Sequence, residues 1–185
     1  MSETLTLLSP NVRGLTNFQK RRTVFTWCHK KNADIDFFLQ ETHSKRDTEV
    51  QWGNEWGTNV VLAHGNSNSR GVAILMKKGI DCTIHSKIID PQGCYIILKA
   101  AIADQKYTLF NIYAPNKDND IVDFFEKIRK TLQEEYVDAD EKVIVGGDFN
   151  CPMNPLLDKK GGSSVPRKIA IASIEYFQFG GHLAR

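Results

Sequence analysis

The sequence contains no closely spaced pair of cysteines. Its four cysteines lie far apart, and none has a histidine at the spacing of a zinc site: Cys28, Cys82, Cys94 and Cys151. This distribution argues against a disulfide framework and against a cysteine-based metal site. We therefore interpret the thiols as reduced, which predicts an intracellular protein.

Long apolar runs, low-complexity tracts and internal repeats are missing as well. No apolar run approaches the ~20 residues that a membrane-spanning helix needs, and residues 1–11 are too acidic and polar for a secretory signal. Lysine and arginine number 24 against 22 acidic residues, for a net charge of +2, so charge alone does not identify a polyanionic partner. We expect a soluble protein with no membrane partner, in the cytosol or the nucleus, and of the two we predict the nucleus.

Helix and strand patterns alternate along the 185 residues, a length that fits one domain. Apolar residues at helical spacing predict helices over 18–31, 118–136 and 166–179, and we expect a loop around Trp52 and Trp56. Strands are predicted over 5–8, 34–40, 58–63, 71–76, 81–89, 94–103, 106–114 and 142–146. This mixture indicates packed sheets flanked by helices, an α/β or α+β sandwich.

Amide and carboxylate side chains follow three of the predicted strands. Asn11 comes after the first strand, Glu41 after the second, and Asp148 and Asn150 after the strand at 142–146. Ligands of open α/β sheets collect beyond the carboxyl ends of the strands. Carboxylates brought together there need a cation, and oxygen ligands suit Mg²⁺, Mn²⁺ or Ca²⁺. Each residue alone is also a common turn former or helix cap, so only the set argues for a metal site.

The stretch LFNIYAPN adds a further candidate. Asn111 and Tyr113 lie on one face of a predicted strand, which Pro115 ends. A tyrosine in this position is ordinarily a half-buried strand residue. Alternatively, its phenol reaches a ligand at the end of the strand.

Five short motifs occur in order along the chain: NVRGL at 11–15, LQETH at 39–43, RGVAIL at 70–75, NIYAPN at 111–116 and GGDFN at 146–150. Any one of them is weak evidence, whereas the ordered series is specific. It resembles the endonuclease/exonuclease/phosphatase superfamily, which includes exonuclease III, the apurinic endonucleases and deoxyribonuclease I. Within that superfamily, the series is similar to the endonuclease domains encoded by non-LTR (LINE-type) retrotransposons.

The resemblance implies a four-layered α/β sandwich of the deoxyribonuclease I-like type and Mg²⁺-dependent hydrolysis of phosphodiester bonds, with Mn²⁺ as a substitute ion. Glu41 would be the principal metal ligand, with Asn11 beside it. Asp148 would orient and deprotonate the attacking water. Asn150 would hold a phosphate oxygen, and Tyr113 would hydrogen-bond the phosphate or assist the leaving oxygen.

DNA is the partner that the resemblance implies. Arg70 and Asn116, from the third and fourth motifs, are predicted together with Asn150 to contact phosphate or DNA. Short basic runs, such as residues 20–22, are interpreted first as solvated surface and second as a groove that follows phosphates.

The chain departs from the family pattern after Asn150. No Ser-Asp-His or Ile-Asp-His follows, and we expect His182 to lie in a Gly-Gly tail with no strand behind it. We therefore expect one domain over 1–185 that lacks its C-terminal strands, and a protein that is either monomeric or prone to aggregate through bare strand edges. Two functions stay open: a metal-dependent DNA endonuclease of retrotransposon or apurinic-site type, and a truncated, inactive relic with at most weak metal or DNA binding. Hydrolysis of RNA or phosphoinositides is a third and less favoured option.

Overall fold

The first of two β-sheets has four strands in the computed structural model, which describes residues 6–31, 35–57, 59–66, 68–116, 118–134, 140–150 and 182–183. These strands are β1 (Thr6–Leu8), β2 (Ile35–Gln40), β3 (Val60–Ala63) and β4 (Val72–Leu75). They lie in the order β1-β2-β4-β3. β1 is parallel to β2, whereas β4 is antiparallel to both β2 and β3.

The second sheet has five strands within the described ranges, in the order β5-β6-β7-β8-β9. They are β5 (Cys82–Ile89), β6 (Tyr95–Ile102), β7 (Gln105–Tyr113), β8 (Lys142–Asp148) and β9 (His182–Leu183). The first three form an antiparallel meander, and β7, β8 and β9 run parallel to one another. Tyr113 and Asp148 are register partners, so β7 and β8 end side by side.

Among the described residues, three helices flank the sheets: α1 (Phe18–Lys30), α2 (Glu49–Trp56) and α3 (Asp118–Glu134). A short 3-10 turn, Arg46–Thr48, leads into α2. The side chain of Asn17 caps α1 by accepting a hydrogen bond of 2.9 Å from the backbone N–H of Lys20, which satisfies one of the free donors at the helix start.

In the part of the chain that the structure describes, three apolar clusters separate four layers. One cluster packs α1 and α2 on the first sheet and includes Phe25, Trp52 and Phe37. A second fills the space between the sheets, and a third lies between β6, β7 and α3. The alternation of side chains along β7 explains the last two, because successive residues of a strand face opposite sides. The predicted α/β sandwich of four layers is therefore confirmed.

Two elements differ from the sequence prediction. Trp52 and Trp56 lie in helix α2 rather than in a loop, because they are one turn apart and both pack into the core. Gly57 ends this helix in the left-handed conformation, with φ of 85°. His182, which was expected to lie in a Gly-Gly tail, is instead the first residue of β9, and this strand pairs with β8 through Ile144 and Val145. The helix predicted over 166–179 lies outside the described residues.

The described cysteines and helices bear on two expectations drawn from composition, that the thiols are reduced and that no helix spans a membrane. Cys28, Cys82 and Cys94, the cysteines that the structure describes, are free thiols. Burial raises the pKa of Cys28 to about 12 and raises the pKa of Cys94 as well. None of the helices in the described ranges combines the length and the apolar character needed to cross a membrane.

Candidate active site

The carboxyl end of β8 lies against the loop that follows β1. Asp148 is the last residue of β8, and Asn11 lies in that loop. Nδ2 of Asn11 donates a hydrogen bond of 2.9 Å to Oδ2 of Asp148, although 137 positions separate the two in sequence. The structure thus brings these two predicted site residues together, while their roles stay predictions.

The second oxygen of the Asp148 carboxylate is held from within its own loop. Oδ1 accepts a hydrogen bond of 3.1 Å from the backbone N–H of Asn150. Nδ2 of Asn150 in turn donates to the carbonyl of Ala114 at 2.6 Å, and the backbone N–H of Ala114 donates to the carbonyl of Asp148 at 2.8 Å. Both carboxylate oxygens therefore accept from uncharged donors and keep further lone pairs for a water or an ion.

Close packing around the end of β8 explains the two glycines before Asp148. Gly147 has a φ of 139°, and a Cβ at this position would lie 2.0 Å from the carbonyl oxygen of Ile112 on β7. A Cβ on Gly146 would lie 3.1 Å from the ring of Phe38. Gly147 therefore permits a close approach to β7 that no other residue could make.

Glu41 lies where β2 ends and has a strained backbone. Its φ of 53° falls in the left-handed region, which is costly for a residue other than glycine. The backbone N–H of Gly14 holds it in place by donating to the Glu41 carbonyl at 2.6 Å. The phenol of Tyr113 donates a hydrogen bond of 2.9 Å to Oε1 of Glu41. This contact joins the ends of β2 and β7.

The Tyr113 phenol stays protonated in this environment. Burial of the ring raises its pKa to about 12, and the hydrogen bond to Glu41 and the negative charges of Glu41 and Asp148 act in the same direction. The side chain of Asn150 acts in the opposite direction and lowers the pKa of the phenol. A neutral phenol is a hydrogen-bond donor, so Tyr113 can donate near the two carboxylates at physiological pH.

Two buried amides that sequence reasoning did not assign lie beneath these residues. Nε2 of Gln40 donates to Oδ1 of Asn111 at 2.8 Å. Nδ2 of Asn111 donates to the carbonyls of Leu39 at 3.1 Å and Ala73 at 2.9 Å. The sequence feature that could have identified them is a single polar residue in an apolar run: Gln40 follows FFL, and Asn111 lies within LFNIY.

Arg70 and Asn116, the predicted phosphate or DNA contacts, lie on loops. Arg70 is half-buried, has a φ of 65°, and donates from Nη1 to Oε1 of Gln92 at 3.2 Å. Its carbonyl accepts from the backbone N–H of His43 at 3.1 Å, which links its loop to the one that carries Glu41. Asn116 is exposed. Within the described ranges, Nε2 of His43 is buried without a hydrogen-bond partner.

The oxygen atoms at this site fit a divalent cation that takes some of its ligands from the protein and the rest from water. Within the described part of the chain, no group of three His, Cys, Asp or Glu residues could hold an ion. The nearby oxygen donors are the carboxylates of Glu41 and Asp148 and the amide of Asn11. Mg²⁺ usually binds through one or two carboxylates and keeps several waters. Among the described residues no lysine or arginine forms an ion pair with either carboxylate, so a cation would balance their charge.

Comparison with known sequences identifies a family whose model covers all residues of the candidate site. Residues 9–163 match the model of the Endonuclease/Exonuclease/phosphatase family. The Transposon TX1 uncharacterized 149 kDa protein of Xenopus laevis is 30% identical over 146 residues, which is 79% of this chain and 11% of that relative. The chain therefore spans about a tenth of the length of the curated relative that it matches. The predicted likeness to transposon-encoded sequences is confirmed by this match.

Solved structures share the fold at low sequence identity. AP endonuclease LMAP from Leishmania major has a TM-score of 0.67 and 16% identity, covering 94% of this chain and 65% of that chain. D. rerio TDP2, solved in complex with a single strand DNA product, has a TM-score of 0.58 and 14% identity, covering 91% of this chain and 63% of that chain. The predicted architecture of the superfamily is confirmed by these likenesses.

Proposed function

This chain belongs to the Endonuclease/Exonuclease/phosphatase family, and we propose that it hydrolyses phosphodiester bonds of DNA with the help of a divalent cation. Mg²⁺ is the proposed ion, and Mn²⁺ is expected to replace it. The proposed substrate setting is that of a retrotransposon or apurinic-site endonuclease, acting in the nucleus.

One observation carries this proposal: two hydrogen bonds bring four widely separated motif residues to one end of the sandwich. Asn11 contacts Asp148 at 2.9 Å, and Tyr113 contacts Glu41 at 2.9 Å. Tyr113 and Asp148 are also register partners on neighbouring strands. A carboxylate for a metal, a carboxylate for a proton and a neutral donor are what hydrolysis of a phosphodiester by water requires.

The proposed role of Asp148 is to hold and deprotonate the attacking water. Its carboxylate is fixed by Asn11 and by the backbone of Asn150, so its remaining lone pairs have a defined direction. An oriented carboxylate can accept the proton that water loses as its oxygen attacks phosphorus.

Tyr113 and Asn150 would supply donors for phosphate oxygens, which gain charge in the transition state. The raised pKa of Tyr113 keeps its phenol protonated for this purpose. Glu41, with Asn11 beside it, would hold the cation. When bound, the ion supplies positive charge that stabilises the phosphate oxygens and the leaving oxygen.

The choice of DNA rests on likeness to other proteins. The sequence relative is named as a transposon protein, and one structural neighbour is a complex with single strand DNA product. Arg70 and Asn116 are proposed to contact the backbone phosphates of a bound strand.

Nicking of supercoiled plasmid tests the proposal. The wild-type chain with Mg²⁺ is expected to convert plasmid to the open circle faster than Asp148→Ala from a parallel preparation, and chelation of the ion should abolish the difference. Thr108→Val, a change five residues before Tyr113 on β7, is the matched control and should retain the wild-type rate. Equal nicking by the wild-type chain and Asp148→Ala would favour the alternative of an inactive protein.

A further inference from the structure

Two amides interrupt the apolar layer between the sheets at the end that holds the candidate site. Gln40 is 1% exposed and Asn111 is fully buried. The neighbours of Asn111 on the same face of β7, Leu109 and Tyr113, both belong to the apolar cluster between the sheets. Burying polar groups in such a layer is unfavourable unless they are hydrogen-bonded, so these residues are not explained by packing alone.

The amides form directional contacts that cross from one sheet to the other. The hydrogen bond of 2.8 Å from Gln40 to Asn111 joins β2 to β7. Nδ2 of Asn111 reaches back to carbonyls of both β2 and β4. Gln40 also donates towards the hydroxyl of Ser9 at 3.1 Å, in the loop that leads to Asn11. The pair therefore connects the strands and the loop from which the candidate site is built.

We propose that Gln40 and Asn111 are a positioning pair that fixes Glu41 relative to Tyr113. Gln40 immediately precedes Glu41, and Asn111 is two residues before Tyr113 on the same face of β7. Apolar contact between sheets has no direction, whereas hydrogen bonds fix the distance and the register of the groups that they join. The consequence for cation binding rests on the proposed function, but the consequence for the geometry does not.

The hydrogen bond between Tyr113 and Glu41 gives a direct readout of this geometry. Tyrosine labelled with ¹³C at Cζ reports the environment of each phenol at neutral pH. Tyr113→Phe assigns the signal of Tyr113, and Glu41→Gln shows where that signal moves when the carboxylate is replaced. The test variants are Gln40→Met and Asn111→Leu, which have similar volume and no amide.

Two further variants complete the design. Gln40→Asn keeps the amide but shortens the side chain by one methylene, so it provides a fold-compatible test if the apolar variants do not fold. Thr108→Val is the matched control, because Thr108 is buried on the same strand and faces α3 rather than the first sheet. Its hydroxyl donates to Oε1 of Glu141, so the control also removes a hydrogen bond of β7.

Loss of the pair is expected to move the Tyr113 signal towards its position in Glu41→Gln, whereas Thr108→Val leaves it in place. Mn²⁺ affinity should fall by ~10–100-fold, the range seen when groups that orient metal ligands are removed. An unchanged Tyr113 signal in folded Gln40→Met, Asn111→Leu and Gln40→Asn would overturn the proposal and leave the pair a purely structural role. If the wild-type chain binds no Mn²⁺ but the Tyr113 signal still moves in the variants, the positioning role of the pair is supported and the proposed function is contradicted.

Discussion

The phenol of Tyr113, at the end of β7, lies 2.9 Å from Oε1 of Glu41, at the end of β2. The two residues are 72 positions apart, and β7 and β2 belong to different sheets. One hydrogen bond therefore spans the interface between the sheets at the point where the site would bind its ligand. The donor is neutral and the acceptor is a carboxylate, which makes this a charge-assisted contact.

Replacing Tyr113 by phenylalanine is expected to slow nicking by ~10²–10³, the usual cost of removing one donor to a charge that develops in the transition state. The ring still fills its place between the sheets, so folding should change little. Single-turnover kinetics with labelled plasmid measure the rate. Tyr107→Phe is the matched control, because Tyr107 is buried on the same face of β7 at the far end of the strand. Equal rates for the two variants would remove Tyr113 from the proposed machinery.

Glu41 is expected to bind the divalent cation. Isothermal titration of the folded chain with Mg²⁺ or Mn²⁺ should show binding that Glu41→Ala lacks, because this substitution removes the proposed carboxylate ligand. Glu49→Ala, which removes a half-exposed carboxylate on α2, should bind as the wild-type chain does. If Glu41→Ala binds equally well, Glu41 is only a carboxylate in a turn.

The glycine before Asp148 provides a test of how β8 is positioned. Gly147→Ala would place a Cβ 2.0 Å from the Ile112 carbonyl in a backbone of positive φ, so it should cost ~3 kcal/mol or more in the free energy of unfolding. Gly53→Ala is the control: it lies inside α2 with nothing within 4 Å of the added Cβ, and it should stabilise by ~0.5–1 kcal/mol. Denaturant melts measure both. A fully stable Gly147→Ala protein would contradict the close approach of β8 to β7.

The fold was largely accessible from the sequence because its periodic signals are strong. The strand over 106–114 and the helix over 118–136 were predicted within two residues of their observed bounds. The helix around Trp52 was missed because eight residues give a short pattern, and large aromatic residues do not distinguish a packed turn of helix from a loop. β9 was missed because a strand of two residues has no period at all.

Only part of the site could be predicted from the sequence, and there is a physical reason why the rest could not. Asn11, Glu41 and Asp148 stand out because each follows an apolar strand, and such ends converge in a sheet. The partners of these side chains were not predictable, because the distance between the sheets sets which groups touch. Gln40 contacts Asn111 across that interface, 71 positions away, and no local pattern encodes such a contact.

Stability should depend on pH through an ion pair between a buried arginine and a partly buried glutamate. Arg21, 2% exposed, donates from Nε and Nη2 to the two oxygens of Glu55, each at 2.7 Å. The hydrogen bonds and charge of Arg21 lower the pKa of Glu55. A lowered folded-state pKa contributes stability above the unfolded glutamate value of ~4.3, and that stability is lost as the pH falls through the folded value. Glu55→Gln should therefore cost ~1–3 kcal/mol at pH 7 and less at pH 3. Thermal melts at both pH values measure this difference, and a gap that does not narrow in acid would contradict the assignment.

Exchanging the side chains of Asn11 and Asp148 should separate the structural role of their contact from its chemistry. Asp148→Asn alone replaces one of the two acceptor oxygens by an NH₂ group. This group then faces another hydrogen-bond donor, either Nδ2 of Asn11 or the backbone N–H of Asn150. A donor left without an acceptor typically costs ~1–3 kcal/mol of folding stability when it is buried, and less at this half-exposed position. The single variant should therefore melt earlier than the wild-type chain.

The double variant Asn11→Asp with Asp148→Asn restores a donor and an acceptor to the same contact. The amide introduced at position 148 can donate to the carboxylate at position 11 and can still accept from the backbone of Asn150. Its melting temperature should return towards the wild-type value, and the number of carboxylates is unchanged. Nicking should not recover, because the proton acceptor has moved from the end of β8 to the loop after β1, and a displacement of about 1 Å can cost 10²-fold in rate. Recovery of nicking together with stability would show that any carboxylate in this contact suffices, and the assignment of Asp148 as the base would be wrong.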